Sequence, residues 1–177
     1  FLYEEKFKSF IPTTKKAVSK LVTIQEGCDK FCHFCVVPYT RGAEFSRSVE
    51  DIYEEVNSLV NNGANEITLL GQNVSSYKSN IFKSGIEEAV NLAKLCKVLS
   101  EISKLQRIRY LTSHTIDIDK QLIRDHKINS KLMPFLHLPI QSGSNKILKE
   151  MNRKHDKNFY LDLISKIKNE NKNKALY

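Results

Sequence analysis

The sequence predicts an α/β fold of about four parallel strands joined by crossover helices, either an open sheet or part of a barrel. Two observations carry this. Short β-branched or apolar runs recur at 21–25, 66–71, 108–113 and 134–141. Segments with apolar residues at helical spacing lie between them. That alternation is the pattern of a parallel sheet with right-handed crossovers.

The elements follow in order. Residues 1 to about 20 read as a linker, with FIPTTKKAVSK carrying a proline and a basic cluster. LVTIQ, 21–25, reads as the first strand. Ser48 opens a capping pattern with Asp51 three residues on, and Val49, Ile52, Val56, Leu59 and Val60 recur at helical spacing. Gly63 is placed to end that helix. EITLLG, 66–71, is the second strand, and a helix is expected over about 86–104. IRYLTS, 108–113, is the third strand, followed by a shorter helical piece around 117–125. PFLHLPIQ, 134–141, is the fourth strand candidate, and FYLDLISKIKN forms a last helix before a polar end. No internal repeat is visible.

Composition narrows the class. The 177 residues suffice for one domain with a core, and 41% hydrophobic with 27% charged residues is globular. No apolar run approaches the about eighteen residues of a membrane span, so no membrane association is expected. The amino terminus, FLYEEKFKSF, is charged and has no signal-peptide core. It starts with Phe, which points to a fragment or a processed chain. Four cysteines without an export signal argue for metal binding or catalysis over a disulfide framework, and for a reducing cytoplasm. The formal charge of +8 suits a polyanion such as RNA, although a Lys- and Asn-rich composition gives the same charge.

In parallel sheets, ligands bind beyond the carboxyl ends of the strands. The first such loop is GCDKFCHFC, with Cys28, Cys32 and Cys35 inside eight residues. The others are GQNVSSY, SHT and QSGSN. Close cysteine spacing lets one loop wrap an iron–sulfur cube. Three thiolates leave one iron open, and an open position is how metal sites do chemistry. Zinc is the competing reading, with His33, His114 and His137 as further donors, but only one Cys-x-x-Cys pair exists and no histidine has ligand spacing. Cys96 falls in a helical apolar pattern and reads as a core residue.

These residues resemble a known family. Cys28-x-x-x-Cys32-x-x-Cys35, with Phe34 before the last cysteine, is similar to the cluster motif of the radical S-adenosylmethionine (SAM) enzymes. EGCDKFCHFCVVPYTRG, SR at 46–47, LLGQNV, TSH and FLHLPIQSGS together resemble the tRNA methylthiotransferases. VVPYTRG and LLGQNV resemble the MiaB-like branch that acts on isopentenyl-adenosine in tRNA. The resemblance covers roughly residues 3–168.

It implies a partial radical-SAM (β/α) barrel. Cys28, Cys32 and Cys35 would each bind one iron of a [4Fe–4S] cluster, and SAM would chelate the fourth. Reductive cleavage of SAM would give a 5′-deoxyadenosyl radical that abstracts hydrogen from carbon 2 of the adenine, and a methylthio group would be attached there. No catalytic residue beyond the cluster is implied. Gly71, Gln72, Asn73, Ser113, Gln141 and Ser142 would meet SAM, with Gly71 letting backbone come close. Arg41 and Arg47 are weaker candidates for a carboxylate or phosphate of the substrate. The implied partners are tRNA, read at its single-stranded anticodon loop, and a reductant.

The family also carries an amino-terminal domain with a second, auxiliary [4Fe–4S] cluster, two further barrel strands and a carboxy-terminal RNA-binding module. The motifs for these are not in this sequence, so residues 1–20 are expected to be the connector after the first domain and 21–177 the first part of the radical SAM core. Thr115 stands where the family pattern has proline. Three alternatives follow: a split gene whose other parts form a separate chain, an inactive truncated remnant, or a zinc-binding RNA-binding module without catalysis.

Overall fold

The computed structural model describes residues 17–83 and 86–170. Most of the expected lead-in, residues 1–16, and the polar end, 171–177, lie outside the described residues. The centre is a parallel sheet of β1 (Ser19–Thr23), β4 (Glu66–Leu70) and β7 (Arg107–Tyr110), in the order β1-β4-β7. Leu21 pairs with Thr68 and Thr68 with Arg109; Val22 pairs with Leu69 and Leu69 with Tyr110. Side chains alternate across such strands. Val22, Ile67, Leu69, Ile108 and Tyr110 therefore share one face, and all are buried.

Helices cover that face. α2 (Val49–Asn61) buries Val49, Ile52, Val56, Leu59 and Val60. Its cap is the expected one: Ser48 Oγ accepts from Asp51 N at 3.0 Å. Gly63, at φ +102°, follows its end. α3 (Leu92–Ser100) adds Leu92, Ala93, Leu95, Cys96 and Leu99, and α4 (Lys120–Ile128) adds Leu122. Cys96 is fully buried, and burial pushes its thiol up to about 12. It packs as a small hydrophobe. A second cluster joins Ile123 to Leu138 and to Leu163 and Ile167 of α6 (Lys157–Glu170).

Two sequence expectations change. The helix expected over 86–104 begins only at Leu92, where Asn91 caps it by accepting from Lys94 N at 3.0 Å. The residues before it form an antiparallel hairpin, β5 (Lys78–Lys83) with β6 (Ile86–Asn91). The apolar period that suggested a longer helix belongs to a strand until the cap intervenes.

The fourth strand, 134–141, is also absent as a ladder. Leu132 makes a single parallel bridge to Ile108, with Ile108 N donating to Lys131 O and Met133 N to Ile108 O. Pro134 and Pro139 then remove donors that a ladder needs. The result is three paired parallel strands with the start of a fourth, an open part of a barrel and not a closed one.

Candidate active site

The cysteine loop leaves β1 through β2 (Gln25–Glu26). β2 pairs antiparallel with β3 (Phe45–Ser46), matching Gln25 to Ser46 and Glu26 to Phe45. That pairing closes residues 27–44 into one loop at the carboxyl end of β1. Gly27 makes the entry turn at φ +77°, where a Cβ would run into Ala43 O. Only glycine fits such a turn. Inside the loop, α1 (Val37–Thr40) starts with Pro38 near its first position, where the missing N–H is not needed.

The three cysteines stand together on this loop and are unpaired by disulfides. Cys32 is buried; Cys28 and Cys35 are partly exposed. Cys35 N donates to Cys32 O at 2.9 Å, so the Cys-x-x-Cys stretch is a tight turn. Burial pushes the Cys28 thiol above its ordinary value, the N–H of Lys30 opposes this, and the charges of Glu44, Cys32 and Cys35 add to the rise. Close thiolates carry like charges, and iron bound between them would offset that charge. Among the described residues no group of three His, Cys, Asp or Glu is placed to hold a single metal ion. A cluster takes one thiolate per iron, and the three cysteines of this loop are a donor set of that kind.

The neighbouring strand ends are stitched to this loop. Gln25, fully buried, accepts from Gln72 N (3.0 Å) and Asn73 N (3.1 Å) and donates to Gly27 O (2.7 Å). Gln72 Oε1 in turn accepts from Gly27 N at 2.6 Å. Gly71 permits this: a Cβ there would sit 2.6 Å from Gln25 Oε1. Its close neighbour is thus Gln25 of the first loop. Asn73 is buried and accepts from His114 N (3.0 Å) and Ser75 Oγ (2.9 Å), while its amide donates to Asp117 (2.7 Å). Asp117 also receives Lys30 Nζ from the cysteine loop at 2.8 Å.

The loop after β7 contributes buried polar atoms without partners: Ser113 Oγ, His114 Nε2 and Thr115 Oγ1. His114 Nδ1 accepts from Ile116 N at 3.4 Å, which places the ring proton on the orphaned Nε2. Burial, reinforced by Arg153, lowers His114 to about 4, so its imidazole is neutral. Arg153 follows α5 (Asn145–Glu150). Its Nη1 lies 3.5 Å from Cys32 Sγ, and its Nε and Nη2 are buried without partners. Orphaned buried donors are rare and ask for a ligand.

Sequence reasoning missed Arg153 and His114 as a pair. The available signal was TSH at a strand end; nothing in MNRKHD announces contact with the cysteines.

The remaining candidates are spread around the rim. Gln141 is exposed at φ +71°, and Ser142 Oγ accepts from Ser144 N at 3.1 Å ahead of α5. Arg41 lies on the outer edge of the cysteine loop, 3.1 Å from Glu26. Arg47 is buried, donating to Glu55 (2.6 Å) and Thr23 O (2.8 Å). No helix among the described residues is long and apolar enough to cross a membrane.

Comparisons with known proteins agree with this geometry. Curated relatives include a tRNA-2-methylthio-N(6)-dimethylallyladenosine synthase of Rickettsia akari, 56% identical over 153 residues, covering 86% of this chain and 34% of that protein. The same-named protein of Rickettsia canadensis is 54% identical over 154 residues, again covering 86% and 34%. The chain therefore spans about a third of the length of these relatives. Among solved structures, the radical SAM methyltransferase TsrM of Kitasatospora setae, determined with cobalamin and a [4Fe–4S] cluster, superimposes with a TM-score of 0.63 at 11% identity, over 88% of this chain and 29% of that one. The cobalamin-dependent SAM radical enzyme OxsB gives a TM-score of 0.61 at 12% identity, over 83% and 22%. These two establish likeness of fold. The model of the radical SAM superfamily matches residues 22–176, and that family implies a [4Fe–4S] cluster and SAM. On that match, with its three cysteines gathered on the loop beyond β1, this chain belongs to the radical SAM superfamily.

Proposed function

We propose that this chain is the SAM-cleaving core of a tRNA methylthiotransferase that acts on isopentenyl-adenosine in the anticodon loop. The observation that carries the reading is the single loop bearing Cys28, Cys32 and Cys35, set in a sequence 54–56% identical to enzymes named for that product.

Each of the three cysteines would take one iron, leaving one iron open to SAM. A cluster held by these residues would supply the electron for SAM cleavage, with an external reductant as its source. The protein's own part is to bind, orient and exclude water. Ser113 Oγ and His114 Nε2 are orphaned buried groups suited to SAM's polar edges. Arg153 Nε and Nη2 are two donors of one guanidinium fork, the geometry that suits SAM's carboxylate. Gly71 acts by giving Gln25 room, and Gln72 and Asn73 by placement, since their polar groups tie the first and third loops to the second. Gln141 and Ser142, ahead of α5, would add polar contacts to SAM. Arg41 is exposed, and an exposed ion pair of this kind is worth about 0–1 kcal/mol, so a tRNA phosphate can displace Glu26. Arg47, buried against Glu55, serves this reading by holding the base of the loop.

The test is reductive cleavage of SAM by the anaerobically reconstituted chain, read as methionine and 5′-deoxyadenosine by mass spectrometry. An anticodon stem-loop RNA bearing isopentenyl-adenosine should raise the yield above that with unmodified adenosine. No cleavage, or equal yields with both RNAs, contradicts the reading.

A further inference from the structure

The turn between α5 and α6 holds the cysteine loop from more than a hundred residues away in sequence. His33 N donates to Met151 O at 3.1 Å, and His33 Nδ1 lies 2.7 Å from Glu150 O. Opposite a carbonyl, that ring nitrogen must carry the proton. Asn152 Nδ2 donates to Phe31 O at 2.8 Å. Arg153 Nη1 donates to Cys32 Sγ. Three consecutive loop residues, 31–33, are thus each gripped by the segment 150–153.

The grip has a physical logic on both sides. The last carbonyls of a helix have no partner within it. Glu150 closes α5 and Met151 is its C-cap, and both carbonyls find their donors on His33. Asn152 then takes the left-handed conformation at φ +55°, which asparagine tolerates better than most residues after a helix end. Phe31 is itself left-handed at φ +48°. A bulky residue keeps that conformation only where its surroundings over-determine it. Here the constraint on its carbonyl is the Asn152 amide.

We propose that the 150–153 turn is a clamp that sets the cysteine loop before the cluster arrives, with Asn152 as its positioning residue and Arg153 as the donor that acts on a ligand sulfur. The proposal rests on the reading of Cys28, Cys32 and Cys35 as cluster ligands. Asn152 reaches the cluster only through Phe31 and the neighbouring Cys32. The arrangement fixes Phe31 and His33 on either side of Cys32, so the loop would not have to find its shape while iron is being loaded. Hydrogen bonds to ligand sulfurs also tune cluster potentials, which gives Arg153 a second effect.

Asn152→Gly separates the amide from the backbone, because glycine keeps the left-handed turn. Asn152→Asp keeps the shape but sets a carboxylate against the Phe31 carbonyl. The first measurement is amide hydrogen exchange over residues 28–36 of the metal-free chain. The second is the rate of iron release to a chelator, with the midpoint potential, after anaerobic reconstitution. Both variants should exchange the His33 and Cys35 amides faster and release iron on the order of tenfold sooner than wild type, the worth of one lost hydrogen bond. Melting of the α2–α3 core should stay near that of wild type. Arg153→Gln should lower the potential, and Arg153→Lys should recover part of it. Unchanged exchange at 31–35 in both variants overturns the clamp. If wild type itself takes up no iron, the cluster reading fails, and the exchange comparison still decides the clamp.

Discussion

Asn73 Nδ2 lies 2.7 Å from Asp117 Oδ2, and this bond ties the loop after β4 to the loop after β7. The other oxygen of Asp117 receives Lys30 from the cysteine loop at 2.8 Å. One carboxylate and one amide therefore bring three strand ends into a single frame. These ties matter because loops carry polar backbone and side-chain groups that need partners once they leave the sheet.

Asn73→Ala removes the acceptor for His114 N and Ser75 Oγ and the donor to Asp117. His114 N keeps Ser75 Oγ and Ser75 Oγ keeps His114 O as second partners, so the net loss is about 1–3 kcal/mol. The variant should unfold at clearly lower denaturant concentration than wild type. Asn73→Asp should be worse, since it places a second carboxylate against Asp117. Urea titration followed by circular dichroism checks both, and equal midpoints for all three proteins would refute the role.

Gly71→Ala should damage the site through Gln25. The added methyl would sit 2.6 Å from Gln25 Oε1 and 2.9 Å from Gln25 O, and overpacking of this kind costs about 1–3 kcal/mol. Displaced, Gln25 can no longer hold Gln72 N, Asn73 N and Gly27 O together. Iron uptake should fall along with stability. Gly143→Ala is the matched control, because nothing lies within 4 Å of a Cβ there.

Much of this was readable from residues alone, and the reasons are local. The Ser48 cap, the apolar spacing of α2 and the glycine after it are short-range signals, and each appears at its expected place. The cysteine spacing and the strand before it pointed to the loop that carries the candidate site. What escaped is non-local. The hairpin of β5 and β6 shares apolar residues with a helical period, and only the Asn91 cap marks the boundary. Pro134 and Pro139 are the local signal against a ladder, within an apolar run that otherwise reads as a strand. Arg153 meets Cys32 because a helix end 121 residues later turns back on the loop, and no sequence pattern encodes that approach.

Stability should fall between pH 6.5 and about 4, with His114 as a main cause. Burial and Arg153 lower its pKa to about 4 in the folded chain, against 6.5 when exposed. Below pH 6.5 the unfolded chain takes up a proton that the folded chain refuses, so unfolding gains. Above that pH both forms are neutral and the group contributes no slope. His155, also lowered by burial and Arg153, acts in the same direction. His114→Asn keeps an acceptor for Ile116 N and removes the titration. Its melting temperature should drop less than that of wild type between pH 7 and 4.5. Parallel curves for the two proteins would show that His114 titrates normally.

The claim that the loop beyond β1 holds a cluster through Cys28, Cys32 and Cys35 is tested most directly by counting metal. Wild type, Cys32→Ala and Cys96→Ala are reconstituted anaerobically with iron and sulfide, then analysed for iron, zinc and visible absorption. A [4Fe–4S] cluster predicts about four irons per chain and a brown colour in wild type and in Cys96→Ala, because Cys96 is buried in the core of α3. Cys32→Ala should lose both. Zinc in place of iron, or iron retained equally by Cys32→Ala, would contradict the account.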